Sequence, residues 1–128
     1  MSTCNEPTAP ARAVFVPNTG FHITVSPDET EPVIRITGDL DARTASLFDH
    51  AYDQANDHAP ERVIVDLSHM GFIDSTGLRS IVRARARASD RAAFVLRDPH
   101  RATVRILELS GLLEEFTIES RLGEADVG

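Results

Sequence analysis

Residues 63–88 place an apolar run, a short turn and a helical pattern one after another, and this stretch constrains the fold most tightly. The run at 63–67, VIVDL, is rich in β-branched side chains, which predicts a buried strand. The small and polar residues at 68–71 are expected to end that strand. Asp74 then predicts a helix start, because its short carboxylate can accept amide hydrogens of the first turn. The pattern therefore places Ser75 at a rigid strand-to-helix corner.

Gly77 lies inside the predicted first turn, where glycine costs roughly 1 kcal/mol of helix propensity relative to alanine. A missing side chain at such a position indicates that another part of the chain comes close. With Asp74 as the cap, Ile73 and Leu78 occupy the two positions of a hydrophobic staple.

The rest of the chain alternates between strand and helix patterns. Apolar residues at every second position predict strands at 21–25 and 33–37, joined as a hairpin. Short apolar runs predict two further strands, at 94–96 and 116–118.

Two more helices are predicted. A single apolar stripe followed by a proline predicts a helix within 42–58. Asp98 as a cap and Pro99 as the first residue predict another, which Gly111 ends. The residues expected to face inward are Ala45, Phe48, Ala51, Tyr52 and Ala55 in the first helix, and Val104, Ile106, Leu107 and Leu109 in the second.

This order of elements predicts an α/β fold. One hairpin and several parallel crossovers give a mixed β-sheet in a single domain, with the helices packed mainly on one face. We expect the domain to span 20–120. Residues 1–19 are predicted to be a flexible N-terminal tail with a short extended piece at 14–16, and 121–128 a C-terminal tail. Deletion of the N-terminal tail is then expected to leave the fold nearly unchanged.

Composition argues against several classes of protein. The formal net charge of −7 disfavours direct binding of nucleic acid or of an anionic membrane. A single cysteine, Cys4, excludes an internal disulfide framework and suggests a reducing compartment. No apolar run approaches the roughly 20 residues of a transmembrane helix, and no signal peptide pattern precedes the domain. We therefore expect a cytoplasmic protein without membrane insertion.

No pattern in the sequence supports a catalytic centre. The Gly-x-Ser-x-Gly motif of serine hydrolases is absent, since Ile73 stands two residues before Ser75. The five histidines lack metal-ligand spacing, and no Walker-type phosphate loop occurs. Asp39 and Asp41 lie at a strand-to-helix turn, where aspartates more often cap and stay solvated than act as acid and base. The sequence therefore predicts that the chain is not an enzyme and has no metal site.

Arginines recur at four-residue spacing along the predicted helix over 75–88, at Arg79, Arg83 and Arg87. Like charges at this spacing destabilise a helix by a few tenths of a kcal/mol per pair. Two interpretations stay open: a solvated face neutralised by acidic neighbours, which we favour, and a patch that contacts a partner. Arg79 is of interest because it lies one turn from Ser75.

Three motifs in order resemble those of the anti-sigma factor antagonists, single-domain bacterial members of the STAS superfamily (sulfate transporter and anti-sigma factor antagonist). The strongest match is VDLS at 65–68 followed by FIDSTGL at 72–78. GDLD at 38–41 is similar to the family's G-E-L-D turn, with Asp39 in place of the usual Glu. ILELSGL at 106–112 is similar to the family's last-helix signature.

The resemblance covers about residues 21–120 and implies a STAS-type fold and a function. In this family the serine after the Asp is phosphorylated by a cognate anti-sigma factor, a small serine kinase that binds ATP. The unphosphorylated antagonist binds that kinase, which then releases its sigma factor, and a phosphoserine phosphatase is the further partner. Ser75 would be the phosphoacceptor, with Thr76 as the fallback. The residues implied to shape or form the binding face are Asp39, Asp41, Asp74, Thr76, Gly77 and Leu78, and we add Arg79 because it lies close to Ser75. The chain itself would need no cofactor, because the kinase binds the ATP.

The same superfamily leaves other functions open. STAS domains also serve as structural subunits of lipid-transport complexes and as scaffolds in stress-signalling assemblies, and in those roles Ser75 would not be phosphorylated. Cytosolic parts of anion transporters are disfavoured, because the sequence contains no membrane segment. An enzyme with Ser75 as its nucleophile is a distant third.

Overall fold

A computed structural model describes residues 12–17 and 19–120. Within them the chain forms one six-stranded mixed sheet and three α-helices, so the predicted α/β class is confirmed. The strands lie in the sheet in chain order, antiparallel from β1 to β3 and parallel from β3 to β6. Their bounds are β1 (Arg12–Val16), β2 (Phe21–Val25), β3 (Val33–Leu40), β4 (Val63–Ile73), β5 (Phe94–Arg97) and β6 (Thr117–Glu119). The helices are α1 (Ala45–Ala55), α2 (Ser75–Arg87) and α3 (Arg101–Leu109).

All three helices pack on one face of the sheet. Each of them connects a strand to its parallel neighbour, always one step in the same direction. Such crossovers are almost always right-handed, which places successive helices on the same side. Phe48 of α1, Ile81 of α2 and Leu107 of α3 belong to one hydrophobic cluster with Val65 and Leu96 of the sheet. The core is therefore a single layer between sheet and helices.

The apolar stripe of α1 is buried as predicted. The buried residues of this helix are Ala45, Phe48, Ala51, Tyr52 and Ala55. The helix itself is shorter than the predicted 42–58, because the residues before it form a turn and a 3-10 segment, Asn56–His58, follows it. The Tyr52 ring packs on Phe94 of β5 with 5.9 Å between the ring centroids. This contact anchors the end of α1 on the sheet.

The first strand lies where the sequence predicted a flexible tail. Arg12–Val16 pairs antiparallel with β2, so the prediction of a tail over 1–19 is wrong for this stretch. Only the extended piece at 14–16 was anticipated. An edge strand is held by backbone hydrogen bonds, which need no periodic apolar face. Of the predicted tails, residues 1–11, 18 and 121–128 lie outside the described residues.

β4 runs through the residues that the sequence predicted as a turn. It continues to Ile73, so the expectation that 68–71 end the strand is wrong. Two register shifts against β3 accommodate the extra residues, and Met70 and Ile73 remain buried. Such irregularities interrupt the alternation of a regular strand, which conceals the strand from a search for period two. β3 is also longer than predicted and ends at Leu40.

α3 begins later than predicted. Asp98 adopts a left-handed conformation with φ of 52°, and its amide donates to the carbonyl oxygen of Glu119 at 2.7 Å. This bond places Asp98 in the connection beside β6. The residue before the helix is His100, so the predictions of Asp98 as the cap and Pro99 as the first helical residue are wrong.

The end of α3 follows the prediction more closely. Gly111 has φ of 73°, and its amide donates to the Glu108 carbonyl oxygen at 3.0 Å. The Leu112 amide donates to the Leu107 carbonyl oxygen at 2.8 Å, which completes a Schellman motif and confirms Gly111 as the C-terminal cap. Leu107 is buried, as predicted. Leu109 is 77% exposed, so the predicted inward orientation of Leu109 is wrong.

Among the helices of the described residues, none has the length and apolar character needed to span a bilayer.

We expect deletion of residues 1–17 to lower the melting temperature by several degrees, because it removes the hydrogen-bonded pairing of β1 with β2. The matched control deletes only residues 1–10 and leaves the strand intact. Thermal unfolding followed by circular dichroism measures both. An equal loss in the two truncations, or none in the longer one, would show that β1 adds nothing to stability.

Candidate functional site

The predicted site lies where the carboxyl ends of β3 and β4 meet the first turn of α2. Leu40 pairs with Ile73 in the parallel register, so the turns that follow the two strands are neighbours. The backbone amide of Asp74 donates to the carbonyl oxygen of Leu40 at 3.2 Å. This bond ties the end of β3 to the start of the helix that follows β4.

Asp74 caps α2, as the sequence predicts. Its backbone is extended, and its Oδ1 accepts the amide hydrogen of Gly77 at 2.9 Å. The first helical bond runs from the Leu78 amide to the Asp74 carbonyl oxygen, also at 2.9 Å. The amides of Ser75 and Thr76 have no acceptor among the described residues. Two donors of this first turn therefore remain available.

Gly77 allows the close approach of another part of the chain that the sequence predicts, and that part is the backbone of Leu40. A β-carbon on Gly77 would collide with the carbonyl oxygen of Leu40 and lie 2.9 Å from its carbonyl carbon. The first turn of α2 thus packs directly on the backbone of β3. With no side chain between the two backbones, the corner has little freedom to shift.

Ser75 is the first helical residue and is exposed. Its hydroxyl has no hydrogen-bond partner within the part of the chain that the structure describes. Thr76 is half-buried, and Leu78 packs against the hydrophobic core. The serine is therefore presented to solvent while its neighbours anchor the turn.

Asp39 organises the irregular end of β4. Its Oδ1 accepts the backbone amide of Phe72 at 2.8 Å. A β-carbon on Gly71 would lie 2.6 Å from that oxygen, so a larger residue there would displace the Asp39 carboxylate. Phe72 is 61% exposed beside this bond. The sequence prediction gives Phe72 no role of its own. Its large apolar side chain within the FIDSTGL motif is the feature that could have marked it as part of the site.

Asp41 closes the turn from β3 into α1. Its Oδ1 accepts the Arg43 amide at 2.9 Å, and its Oδ2 accepts from the Arg43 guanidinium at 3.1 Å. The hydrogen bond from the Arg43 side chain holds the pKa of Asp41 below its ordinary value. The Thr44 hydroxyl donates to the Asp39 carbonyl oxygen at 2.8 Å, which secures the same turn. Asp41 is therefore a charged turn residue in the loop next to the Ser75 corner.

Two of the three spaced arginines of α2 are neutralised by α1. Arg83 pairs with Asp49 at 3.0 Å and Arg87 with Asp53 at 2.5 Å. Arg79 is exposed and has no ion pair within the described residues. The interpretation of a neutralised face holds for the first two arginines and not for Arg79.

Asp66, in the VDLS part of the motif, is a buried charge on the sheet face opposite the helices. Its Oδ1 accepts from the Ser68 hydroxyl at 2.7 Å and from the Ser68 amide at 2.9 Å. Its Oδ2 accepts from the Arg35 guanidinium at 3.2 Å. Burial by itself raises the pKa of Asp66, but the Ser68 and Arg35 hydrogen bonds outweigh it and leave that pKa below its ordinary value. This role is structural, and Asp66 lies outside the Ser75 corner.

No group of three or more His, Cys, Asp or Glu side chains among the described residues could hold a metal ion. The predicted site residues instead share one corner. They lie in the last residues of β3, the turn after it, and the first turns of α2: Asp39, Asp41, Asp74, Ser75, Thr76, Gly77, Leu78 and Arg79. Their arrangement can present a hydroxyl and charged groups to another protein.

A family model described as "Mlab, STAS domain" matches residues 23–119 of the chain. The chain belongs to the STAS domain family. Its sequence is 26% identical over 106 residues to the anti-sigma-F factor antagonist RsfB of Mycobacterium tuberculosis, an alignment that covers 83% of this chain and 87% of RsfB. The resemblance predicted from the three motifs is therefore confirmed.

Solved structures of STAS proteins share the fold. An anti-sigma factor antagonist from Mycobacterium paratuberculosis superposes with a TM-score of 0.71 at 22% identity, covering 82% of this chain and 90% of that one. The phosphorylated form of SpoIIAA from Bacillus superposes with a TM-score of 0.60 at 19% identity, covering 81% and 96%. At these identities the likeness establishes the fold, and the roles of the site residues stay predictions.

We expect Gly77→Ala to destabilise the domain by about 1–3 kcal/mol, because the added methyl group overpacks against the Leu40 backbone. Ser75→Ala, two residues earlier in the same turn, is the control and should change stability little. Urea unfolding of both variants gives the free energies. If Gly77→Ala were as stable as the control, the corner would be looser than the contact implies.

We expect Asp66→Asn to destabilise the protein by about 1–3 kcal/mol at pH 7, because it weakens hydrogen bonds to a buried carboxylate. A lowered folded-state pKa gives stability that is present above the unfolded-state pKa of about 3.9 and is lost as the pH falls through the folded-state value. The stability gap between parent and variant should therefore narrow below about pH 4. Denaturant titrations from pH 7 to pH 3 measure it, with Asp57→Asn as an exposed control. A gap independent of pH would contradict the expectation.

Proposed function

We propose that this chain is an anti-sigma factor antagonist that switches partners through phosphorylation of Ser75. Its unphosphorylated form binds a cognate anti-sigma factor serine kinase, which then releases its sigma factor. Phosphorylation ends the binding, and a phosphoserine phosphatase restores it. The chain takes no cofactor, because the kinase binds the ATP. It acts in the cytoplasm as a regulatory protein and not as an enzyme.

The observation that carries this proposal is the exposed Ser75 hydroxyl on a corner with little freedom to move. Phosphoryl transfer depends on positioning, so an acceptor that protrudes from a fixed backbone suits a kinase. The serine oxygen would attack the γ-phosphorus of ATP, the bond to ADP would break, and the serine proton would pass to a base of the kinase. Thr76, half-buried in the same turn, is the less accessible fallback.

The charge of a phosphate is compatible with this fold. Phosphorylation adds about −1.5 to −2 charges at neutral pH. At the start of α2 the helix dipole stabilises negative charge by roughly 0.3–1 kcal/mol, and the Ser75 and Thr76 amides are available. The phosphoprotein should therefore keep its fold, and the switch would act at the interface. Leaving one charge unpaired or desolvated in a contact can cost about 2–5 kcal/mol, which is enough to end binding.

The relatives support the same function. RsfB is an anti-sigma-F factor antagonist, and SpoIIAA has been solved in both an unphosphorylated and a phosphorylated form. The fold therefore accommodates a phosphate in at least one structural neighbour.

The partner-binding surface in this proposal is the rim around Ser75. Asp39 and Arg79 are exposed there, and Asp41 lies in the adjacent loop. Gly77 is buried and contributes through the shape of the turn. The remaining members of this surface are Asp74, Thr76 and Leu78.

The alternative is a STAS subunit of a lipid-transport complex, or a stress-signalling scaffold, in which Ser75 is not phosphorylated. Its partner would be a transporter ATPase or another scaffold component. The two functions therefore differ in whether the Ser75 hydroxyl is phosphorylated.

Incubation with the cognate anti-sigma factor kinase and ATP should phosphorylate the parent protein and Thr76→Ala, but not Ser75→Ala. Intact-mass and peptide mass spectrometry identify the site. Ser75→Ala should also bind the kinase without being released by ATP. Ser89→Ala, an exposed serine beyond the other end of α2, is the matched control and should behave as the parent.

Phosphate on Ser75→Ala but not on Thr76→Ala would move the acceptor to Thr76. A parent protein that neither binds nor is phosphorylated by any anti-sigma factor kinase of its host would favour the structural or scaffolding alternative.

A further inference from the structure

Ion pairs form a ladder between α1 and α2. Asp49 Oδ2 accepts from Arg83 Nη2 at 3.0 Å, and Asp53 Oδ1 accepts from Arg87 Nη1 at 2.5 Å. Each step is four residues in both helices, so the ladder advances by one turn at a time. Arg87 also lies over the Tyr52 ring, 5.0 Å from its centroid. Arg83 and Arg87 therefore help to hold α2 against α1.

The ladder stops at Arg83, about two turns from the start of α2. The next rung would join positions 45 and 79, and position 45 is a buried alanine, not a carboxylate. Arg79 therefore has no partner on α1, and it is exposed without an ion pair anywhere in the described ranges. At this position α2 has an arginine, but α1 has no acidic residue opposite it.

The carboxylates of the corner are already engaged. Asp39 and Asp74 accept backbone amides at 2.8 and 2.9 Å. Asp41 is paired with Arg43 at 3.1 Å. None of the three forms a hydrogen bond or an ion pair with Arg79 in the described structure. Its guanidinium is therefore available to a new anion at this corner.

The spacing between Ser75 and Arg79 matches a helical pair. Residues four apart on a helix have β-carbons about 5–6 Å from one another, and the pair is stronger when the acid precedes the base. A phosphate on Ser75 would precede the guanidinium of Arg79 in this favourable order. Arginine can also donate two parallel hydrogen bonds to phosphate oxygens, and these are stronger than neutral hydrogen bonds.

We propose that Arg79 is the intramolecular partner of a phosphate on Ser75. The inference rests on the proposed function, since it concerns the form of the protein that the kinase produces. Phosphorylation then has two consequences at the docking rim: it adds a dianion and it withdraws the Arg79 guanidinium from partners. An unphosphorylated protein offers that cation to an acidic group of the anti-sigma factor, and a phosphorylated one does not.

The test uses full-length protein with phosphoserine placed at position 75 by genetic encoding, so it does not depend on the kinase. The second pKa of the phosphate is measured by ³¹P NMR in the parent, in Arg79→Gln and in Arg105→Gln. Arg105 is an exposed arginine of α3 with no ion pair among the described residues, so its variant removes the same charge from another helix.

A paired guanidinium favours the dianion and lowers the pKa of the phosphate. Arg79→Gln should therefore raise that pKa by roughly 0.2–0.4 units, and Arg105→Gln by less than a third as much. The Nε–H resonance of Arg79 should also shift between the unmodified and phosphorylated parent. Equal pKa changes in the two variants, with an unmoved Arg79 resonance, would overturn the pair.

The two failures can be told apart. A missing phosphate in the kinase assay overturns the proposed function, and the pair loses its regulatory meaning. A normal kinase assay with no Arg79-dependent change in the phosphate pKa overturns this inference alone.

Discussion

The backbone contact between Gly77 and Leu40 is the constraint on which the site depends. It allows the first turn of α2 to lie directly on the end of β3, and the bond from the Asp74 amide to the Leu40 carbonyl oxygen fixes the same approach. The parallel register of β3 and β4 brings their ends together. Because no side chain separates helix from strand, the hydroxyl of Ser75 is held by backbone geometry and not by its own contacts.

A rigid corner suits a protein that is the substrate of a kinase, as we propose for this chain. The site presents an exposed hydroxyl and a few charges, and in the proposed switch the bond-making chemistry would belong to the kinase. In the proposed switch the phosphate would lie at a helix start, so its effect would fall on the partner and leave the fold intact. The hydrophobic core between the sheet and the helices supports this corner from below, and in the proposed switch it would be the same in both states.

The spaced arginines of α2 differ in whether α1 supplies an acidic partner for them. Arg83 and Arg87 connect α2 to α1, whereas Arg79 carries the same charge without an acid opposite it. The difference arises from α1, which has aspartates at two successive turns and Ala45 at the third. Under our proposals, the unpaired Arg79 would give a phosphate on Ser75 a defined partner, and it would give the unmodified form a contact for an acidic surface.

The sequence by itself determined the local features of the site. Asp74 as a cap, the close approach at Gly77 and the exposed position of Ser75 follow from short segments whose hydrogen-bonding and steric needs are met nearby. Only the tertiary structure decided that β4 continues through 68–73, because the β3 backbone and the Asp39 carboxylate satisfy its irregular end. Pairing likewise decided that β1 is a strand, and the carboxylates of a neighbouring helix decided which arginines are neutralised. These outcomes depend on groups distant in the chain, which no local pattern contains.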